Sequence, residues 1–263
     1  MTQYLQSSPL ESNRFNLNAA KLEIYKNNYV LSNIVKELDE SPYDLIISKI
    51  KTENFELVHL LEEKGFKLMD TQLQFKLDLK RKKELIESSY HELIDLIKIE
   101  KFSIRKPVIE DLTVIIELID QCFSNYKSHY HQNRLINKDK DYTKEIYIDW
   151  FTSGMNKEIN IGNSVVIDEA KNKIVGFAFS SFSDENKTIL NGNLSCVDSS
   201  YRSKNLYSAM IMHGSFQAML NNVLYCTTAT QITNKTVFKQ LLKLGLEYDE
   251  SFYIFHKTKL GDK

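Results

Sequence analysis

The chain has 263 residues, 42% of them hydrophobic and 26% charged, with a formal net charge of -1. That is globular composition, with enough chain for one large domain or two smaller ones, and the near-neutral balance excludes a reader of phosphate backbones, so no nucleic-acid partner is expected. No apolar run is long enough to cross a bilayer, and the opening Met1–Gln6 lacks a charged-then-apolar leader, so the expectation is a cytoplasmic chain with no membrane partner.

Hydrophobic periodicity carries most of the structural reading, because only three prolines and eight glycines punctuate the chain. Residues 19–25 and 43–50 read as strands, 55–64 as a short helix closed by Gly65, and 71–79 as a strand. Residues 80–100 are charged, with spaced Leu and Ile, and read as a linker helix. The second half begins with a strand at 102–107. Glu110 and Asp111 then open a helix over 112–123, the end of a helix that favours acids. A polar stretch, 124–140, precedes a helix at about 142–152. A hairpin follows, with strands 164–168 and 174–181, and then a strand 189–197 and a helix reaching Leu220. A strand 223–230, a helix 235–244 and a strand 251–257 complete the order. This alternation predicts an α+β fold with a mixed sheet flanked by helices.

A short internal repeat runs at a constant offset of 180 residues. Asn54 aligns with Asn234, Leu61 with Leu241, Gly65 with Gly245 and Phe75 with Phe255. Each copy reads as strand, Asn, helix, Leu-x-x-x-Gly, strand, which predicts two related halves.

The segment Val197–Met210 carries the chemistry. A strand ends there and a helix begins, with Arg202 in the intervening turn. First-turn N–H groups have no intrahelical partner and the helix dipole favours negative charge, so Arg202 with the N–H groups of Ser203, Lys204, Asn205, Leu206, Tyr207 and Ser208 reads as a pyrophosphate cradle. The alternative is a plain strand-to-helix turn. Glycine, the usual residue where such a turn needs positive φ, is absent; asparagine at position 205 is the residue that best replaces it. Asn234, ahead of the helix at 235, reads equally as an N-cap and as a ligand contact.

Other residues carry weaker chemistry. His256 shares a strand face with Ile254 and reads either as a base or sugar-orienting group or as a satisfied strand histidine. Tyr253 and Tyr248 are candidate acids. Tyr130, His131, Asn133 and Arg134 sit in a stretch dense in stacking and hydrogen-bonding groups, which suits a nucleotide-sugar pocket or a polar surface loop. Cys122, Cys196 and Cys226 lack metal spacing and read as reduced thiols; no metal site is expected. The oligomeric state stays open, with a homodimer as one outcome.

This order of elements, with Arg202-x-x-Asn205-x-Tyr207 after the strand at 189–197, resembles the GNAT superfamily of CoA-dependent N-acyltransferases, whose cradle is Arg/Gln-x-x-Gly-x-Gly/Ala. The segments Glu11–Phe15, Leu61–Thr71, Tyr130-His131, Tyr147-x-x-Trp150, Thr230–Asn234, Leu241–Leu246 and Tyr253–Lys257 are similar to one branch, which acylates dTDP-linked amino-dideoxy sugars. The resemblance implies a truncated GNAT-like N-terminal domain over residues 1–80, a linker helix over 81–100 and a catalytic GNAT domain over 101–263. It implies acyl-CoA as co-substrate, with acetyl and short groups such as 3-hydroxybutanoyl both compatible, and a nucleotide-linked amino sugar as acceptor for surface-polysaccharide synthesis. The pantetheine arm would lie along Leu194, Cys196 and Val197, where the family's strands splay. Two departures stand out: the cradle glycines are missing, and Leu241 occupies the place of the branch's proposed general-acid tyrosine. Another small amine or a peptide as acceptor, or CoA binding without turnover, are the alternative readings.

Overall fold

The computed structural model describes residues 3–24, 29–123, 127–134, 136, 143–155, 161–183 and 185–259. They fall into two compact units. Unit 1 holds residues 1–72, 127–142 and 250–263, and unit 2 holds 73–126 and 143–249. Packing therefore groups the 127–142 segment and the end of the chain with the N-terminal residues, an association that sequence order does not suggest.

Unit 1 is a mixed sheet with helices. Strand β1 (Leu5–Ser7) runs antiparallel to β2 (Ala19–Leu22), and β2 runs parallel to β3 (Leu45–Lys51). β3 in turn pairs antiparallel with the C-terminal part of β10 (Glu247–Thr258), placing His256 opposite Ile47. Helices α2 (Leu31–Asp39) and α3 (Phe55–Glu63) pack around Leu22, Ile34, Leu38, Ile46, Leu57, Leu61 and Phe255, while α1 (Pro9–Phe15) lies against β2. β4 (Lys67–Asp78) begins in this unit and ends in the other.

In unit 2 the strand order is β4-β9-β8-β7-β6-β5, with β5 (Phe102–Arg105), β6 (Ser164–Asp168), β7 (Lys173–Phe182), β8 (Ile189–Val197) and β9 (Tyr225–Gln231). Pairing is antiparallel from β5 through β8 and parallel between β8 and β9. The unit's helices are α4 (Lys83–Ile99), α5 (Leu112–Phe123), α7 (Thr143–Met155), α8 (Leu206–Leu220) and α9 (Lys235–Lys243). One apolar cluster joins α5 and α7 to Val165, Phe177 and Cys196; a second joins α8 to Val166, Val175 and Val197. The acid-rich start of α5 is fixed by Asp111, which accepts 2.6 and 2.8 Å hydrogen bonds from the Arg105 guanidinium and one of 2.8 Å from the Val108 N–H. Those donors hold the Asp111 carboxyl below its ordinary pKa.

The repeat appears in backbone detail. β3 and β9, α3 and α9, and β4 and β10 begin and end at positions 180 apart. Asn54 and Asn234 both cap, their side-chain oxygens accepting from Leu57 and Val237 N–H at 3.2 and 3.3 Å. Both helices end in a Schellman motif on a left-handed glycine. Gly65 (φ +78°) donates to Glu62, and Phe66 to Leu61; Gly245 (φ +83°) donates to Leu242, and Leu246 to Leu241.

Several expectations need correction. β1, α1 and α2 were not foreseen. The segment around 128–134, expected as a loop, contains the short helix α6 (His129–Gln132). β4 and β10 start at Lys67 and Glu247, four residues before the expected starts, because the strand follows directly on the Schellman turn. Tyr25, the expected end of the strand that closes as β2, lies outside the described residues, as does much of the 124–140 stretch.

Candidate functional site

β8 pairs with β9 only from Ile189↔Tyr225 to Gly192↔Thr228, yet it continues to Val197 and β9 to Gln231. The Thr228 hydroxyl donates to the Gly192 carbonyl at 3.1 Å where the ladder stops. Beyond it, the β9-facing edge of Asn193–Val197 lies outside that ladder, while the other edge stays bonded to β7 as far as Val197↔Gly176. The Leu194, Cys196 and Val197 side chains are buried and serve as packing along this stretch, whereas Asn193 is exposed and Ser195 half-buried.

A turn of 3-10 helix, residues 199–201, follows. Its cap is Asp198, which accepts from the Ser200 N–H at 3.0 Å and lies 3.4 Å from the Lys173 ammonium. Arg202 is extended and exposed, and its Nε lies 3.5 Å from the Val197 carbonyl oxygen. The main chain then enters the left-handed region twice, at Ser203 (φ +66°) and Asn205 (φ +59°), before α8 begins at Leu206. Ala209 is the first N–H bonded back into the helix, to the Asn205 carbonyl at 2.9 Å. The N–H groups of Leu206, Tyr207 and Ser208 therefore have no intrahelical acceptor.

Side chains in the turn divide by what they touch. Lys204 makes an ion pair with Glu100, and its ammonium lies 5.6 Å from the Phe102 ring centre. Tyr207 packs against the apolar cluster beside Tyr201 and Leu206, and its hydroxyl bonds with Ser195. Burial pushes its pKa up to about 12. Ser208 is buried, with its hydroxyl 3.4 Å from the Gln240 side-chain oxygen of α9. Asn234 caps α9, and Leu241 is fully buried in the core of the unit, where it offers no proton.

The residues expected on the acceptor side all lie in unit 1. His256 is 1% exposed; its Nδ1 lies 3.1 Å from the Asn133 amide nitrogen and its Nε2 lies 2.8 Å from His129 Nδ1. With the amide donating to Nδ1, His256 carries its proton on Nε2 and donates to His129. Burial, with His129 beside it, pushes the His256 pKa well below the usual imidazole value; burial also takes His129 down to about 4. His256 is thus enclosed, with both ring nitrogens engaged. Tyr253 packs against the unit 1 core next to Phe255. Tyr130 is buried and donates to Glu11 at 3.1 Å. Burial raises the Glu11 pKa, but the Ser8 hydroxyl and the Lys21 ammonium more than offset it and hold the carboxyl below its ordinary value. His131 Nδ1 accepts from the Ser128 N–H at 2.8 Å, capping α6, and Arg134 is exposed. Sequence reasoning placed Ser203 in the cradle without its left-handed conformation, and it gave no role to the side chains of His129 and Glu11, which long-range packing brings to His256 and Tyr130.

No protein-family model and no curated protein sequence matches the chain. Solved structures do. A GCN5-related N-acetyltransferase from Sphaerobacter thermophilus superposes with a TM-score of 0.59 at 10% identity, covering 91% of this chain and 72% of that one. A tandem GNAT protein from the clavulanic acid biosynthesis pathway gives 0.59 at 10% identity, covering 93% and 76%. The fold is that of the GNAT proteins. A GCN5-related glucosamine N-acetyltransferase region of a fungal multi-domain β-N-acetylglucosaminidase gives 0.59 at 9% identity, covering 96% of this chain and 30% of that one. In unit 2, the interrupted β8–β9 ladder and the Arg202–Ser208 turn are consecutive in the chain. Among the described residues, no group of three or more His, Cys, Asp or Glu side chains could hold a metal, and no helix is long and apolar enough to cross a membrane.

Proposed function

We propose that this protein is an acyl-CoA-dependent N-acyltransferase whose acceptor is the amine of a nucleotide-linked amino-dideoxy sugar. The observation that carries the CoA part is the double left-handed turn at Ser203 and Asn205, which follows Arg202 and leads directly into the free N–H groups at the start of α8. That donor set fits a pyrophosphate: oriented N–H dipoles, a helix N-terminus and one guanidinium, with the nearby lysine already paired. Main-chain groups of Leu194–Val197, beyond the end of the ladder, would hold the pantetheine arm and polarise the thioester carbonyl. Asn234 would add a contact without giving up its cap. A neutral amine attacks the thioester, an amide forms and the CoA thiolate leaves. With Leu241 apolar and His256 enclosed, solvent water is the proton carrier that fits these residues.

The amino-sugar part rests on the ordered motif set from Glu11 to Lys257, and an amino-sugar acceptor also occurs in the name of the fungal neighbour. In this reading the chain is a pair of GNAT-like copies of which the second holds CoA, and the product feeds surface-polysaccharide synthesis inside the cell. Purified protein incubated with acetyl-CoA or 3-hydroxybutanoyl-CoA and dTDP-3-amino- or dTDP-4-amino-dideoxyhexoses should release free thiol, and Arg202→Ala should lower kcat/KM at least about tenfold. Thiol release only with polyamine or peptide acceptors would overturn the sugar assignment. CoA binding by calorimetry with no turnover on any amine would favour the second reading, a CoA-binding protein without activity, which the apolar Leu241 and the enclosed His256 motivate.

A further inference from the structure

Two of the three cysteines meet beneath the cradle. Cys122, in the last turn of α5, is partly exposed; Cys196, in β8, is buried in the apolar cluster against which Cys122 packs. The Cys196 thiol is close enough to the Cys122 thiol to influence its ionisation. The Cys122 Sγ also lies 3.7 Å from the Val197 carbonyl oxygen, the same oxygen that lies 3.5 Å from Arg202 Nε. One peptide group at the end of β8 is thus shared by a thiol and by the arginine of the turn.

The two thiols are unlike. The neighbouring Cys196 thiol and the positive charge of Arg202 draw the Cys122 thiol below its ordinary pKa, against burial and the Asp198 carboxylate. Burial pushes Cys196 well above its own. An accessible thiol inclined to ionise, beside a buried thiol that stays protonated, is the arrangement of an attacking and a resolving cysteine. Cys226, buried and with its pKa pushed up to about 12, has neither an arginine nor a second thiol beside it among its interactions and serves as an internal control.

We propose that Cys122 and Cys196 form a thiol-modification site that reacts with low-molecular-weight disulfides and closes to an internal disulfide. In the first step the Cys122 thiolate attacks one sulfur of R–S–S–R; a Cys122–S–S–R bond forms, the R–S–S–R bond breaks, and R–S⁻ leaves and takes a proton from solvent. In the second, Cys196 loses its proton to solvent and attacks the Cys122 sulfur, forming Cys122–S–S–Cys196 and releasing the second R–S⁻. Two electrons pass from the protein to the small disulfide, which leaves as two thiols. The new bond ties α5 to β8 and withdraws the Cys122 thiol from the Val197 carbonyl, one residue before the segment that leads to Arg202.

The test is independent of any CoA-dependent activity. The full-length protein, native and reduced, is treated with glutathione disulfide and followed by thiol titration and peptide mass mapping. Two of three thiols should disappear, with a Cys122–Cys196 cross-link that dithiothreitol reverses and Cys226 unmodified. Cys196→Ser should instead accumulate glutathione on Cys122, and Cys122→Ser should leave Cys196 unreacted. Arg202→Ala should slow the reaction of Cys122 roughly threefold to tenfold by raising its pKa. A mixed disulfide on Cys122 that persists in the parent protein, or equal reactivity at Cys226, overturns the proposal.

Discussion

At Ser203 and Asn205 the main chain takes positive φ twice within three residues, and neither residue is glycine. An L-residue with a Cβ meets its following carbonyl there, and asparagine tolerates the strain better than most because its short polar side chain bonds locally. Asn205→Gly should therefore leave unfolding free energy within about 0.5 kcal/mol of the parent, while the β-branched Asn205→Val should lower it by about 1–2 kcal/mol. Urea titration of both variants measures this, and calorimetry should show CoA binding retained in the glycine variant and weakened in the valine variant. Equal behaviour of the two would show that the left-handed geometry does not matter to the cradle. Asparagine at position 205 was legible as a glycine substitute in the sequence; serine at position 203 was not, since it has no such preference and is held there by the 3-10 turn before it and α8 after it.

Elements were legible where local chemistry marks both ends. α3 and α9 have an asparagine cap in front and a left-handed glycine behind, so their limits follow from sequence, and the 180-residue offset survives in every paired element boundary from β3 to β4 and from β9 to β10. By contrast α2 starts after Val30, which has no side-chain cap, and buries only Ile34 and Leu38, so its signal is one pair of residues four apart. In α6 the signal was present but was read as a polar loop: Tyr130 and Asn133, three apart, are the buried pair. The shared caps make a prediction at this scale. Asn54→Ala and Asn234→Ala should each cost about 1 kcal/mol, since both accept one N–H at nearly equal distance. Truncating the fully buried Leu61 or Leu241 to alanine should cost about 2–5 kcal/mol. If Asn234 also touches CoA, only its variant should weaken CoA binding, and equal affinity in the two cap variants would assign Asn234 to capping alone.

For the whole molecule the two units differ in what acid does to them. Unit 1 contains His129 and His256, both held neutral by burial, and the enclosed Glu11 held ionised by Ser8 and Lys21. Among charged groups the environment of His129 includes Glu11, Lys21, Lys49 and His131; the carboxylate favours its protonation, the cations oppose it, and burial dominates. The sign follows from where protons bind. An unfolded histidine takes up a proton near pH 6.5, whereas folded His129 does not until about pH 4, so the unfolded state gains protons, and stability, as pH falls between those values. Allowing for the partial exposure of His129, its share is roughly 2–3 kcal/mol, and the depressed His256 acts in the same direction. Glu11 adds to this at lower pH: with its folded pKa below the usual 4.5, its stabilisation is full above that value and is lost as pH falls through the folded pKa. In unit 2 the half-buried His213 is of this kind, its pKa also lowered by burial. Hydrogen exchange followed from pH 7 to pH 4 should therefore show amides of β3 and the C-terminal part of β10 losing protection before those of β7 and β8. In His129→Gln, which can still accept from His256 but cannot titrate, that loss should move to lower pH; an unchanged profile would mean that the acid response of unit 1 does not originate in its histidine pair.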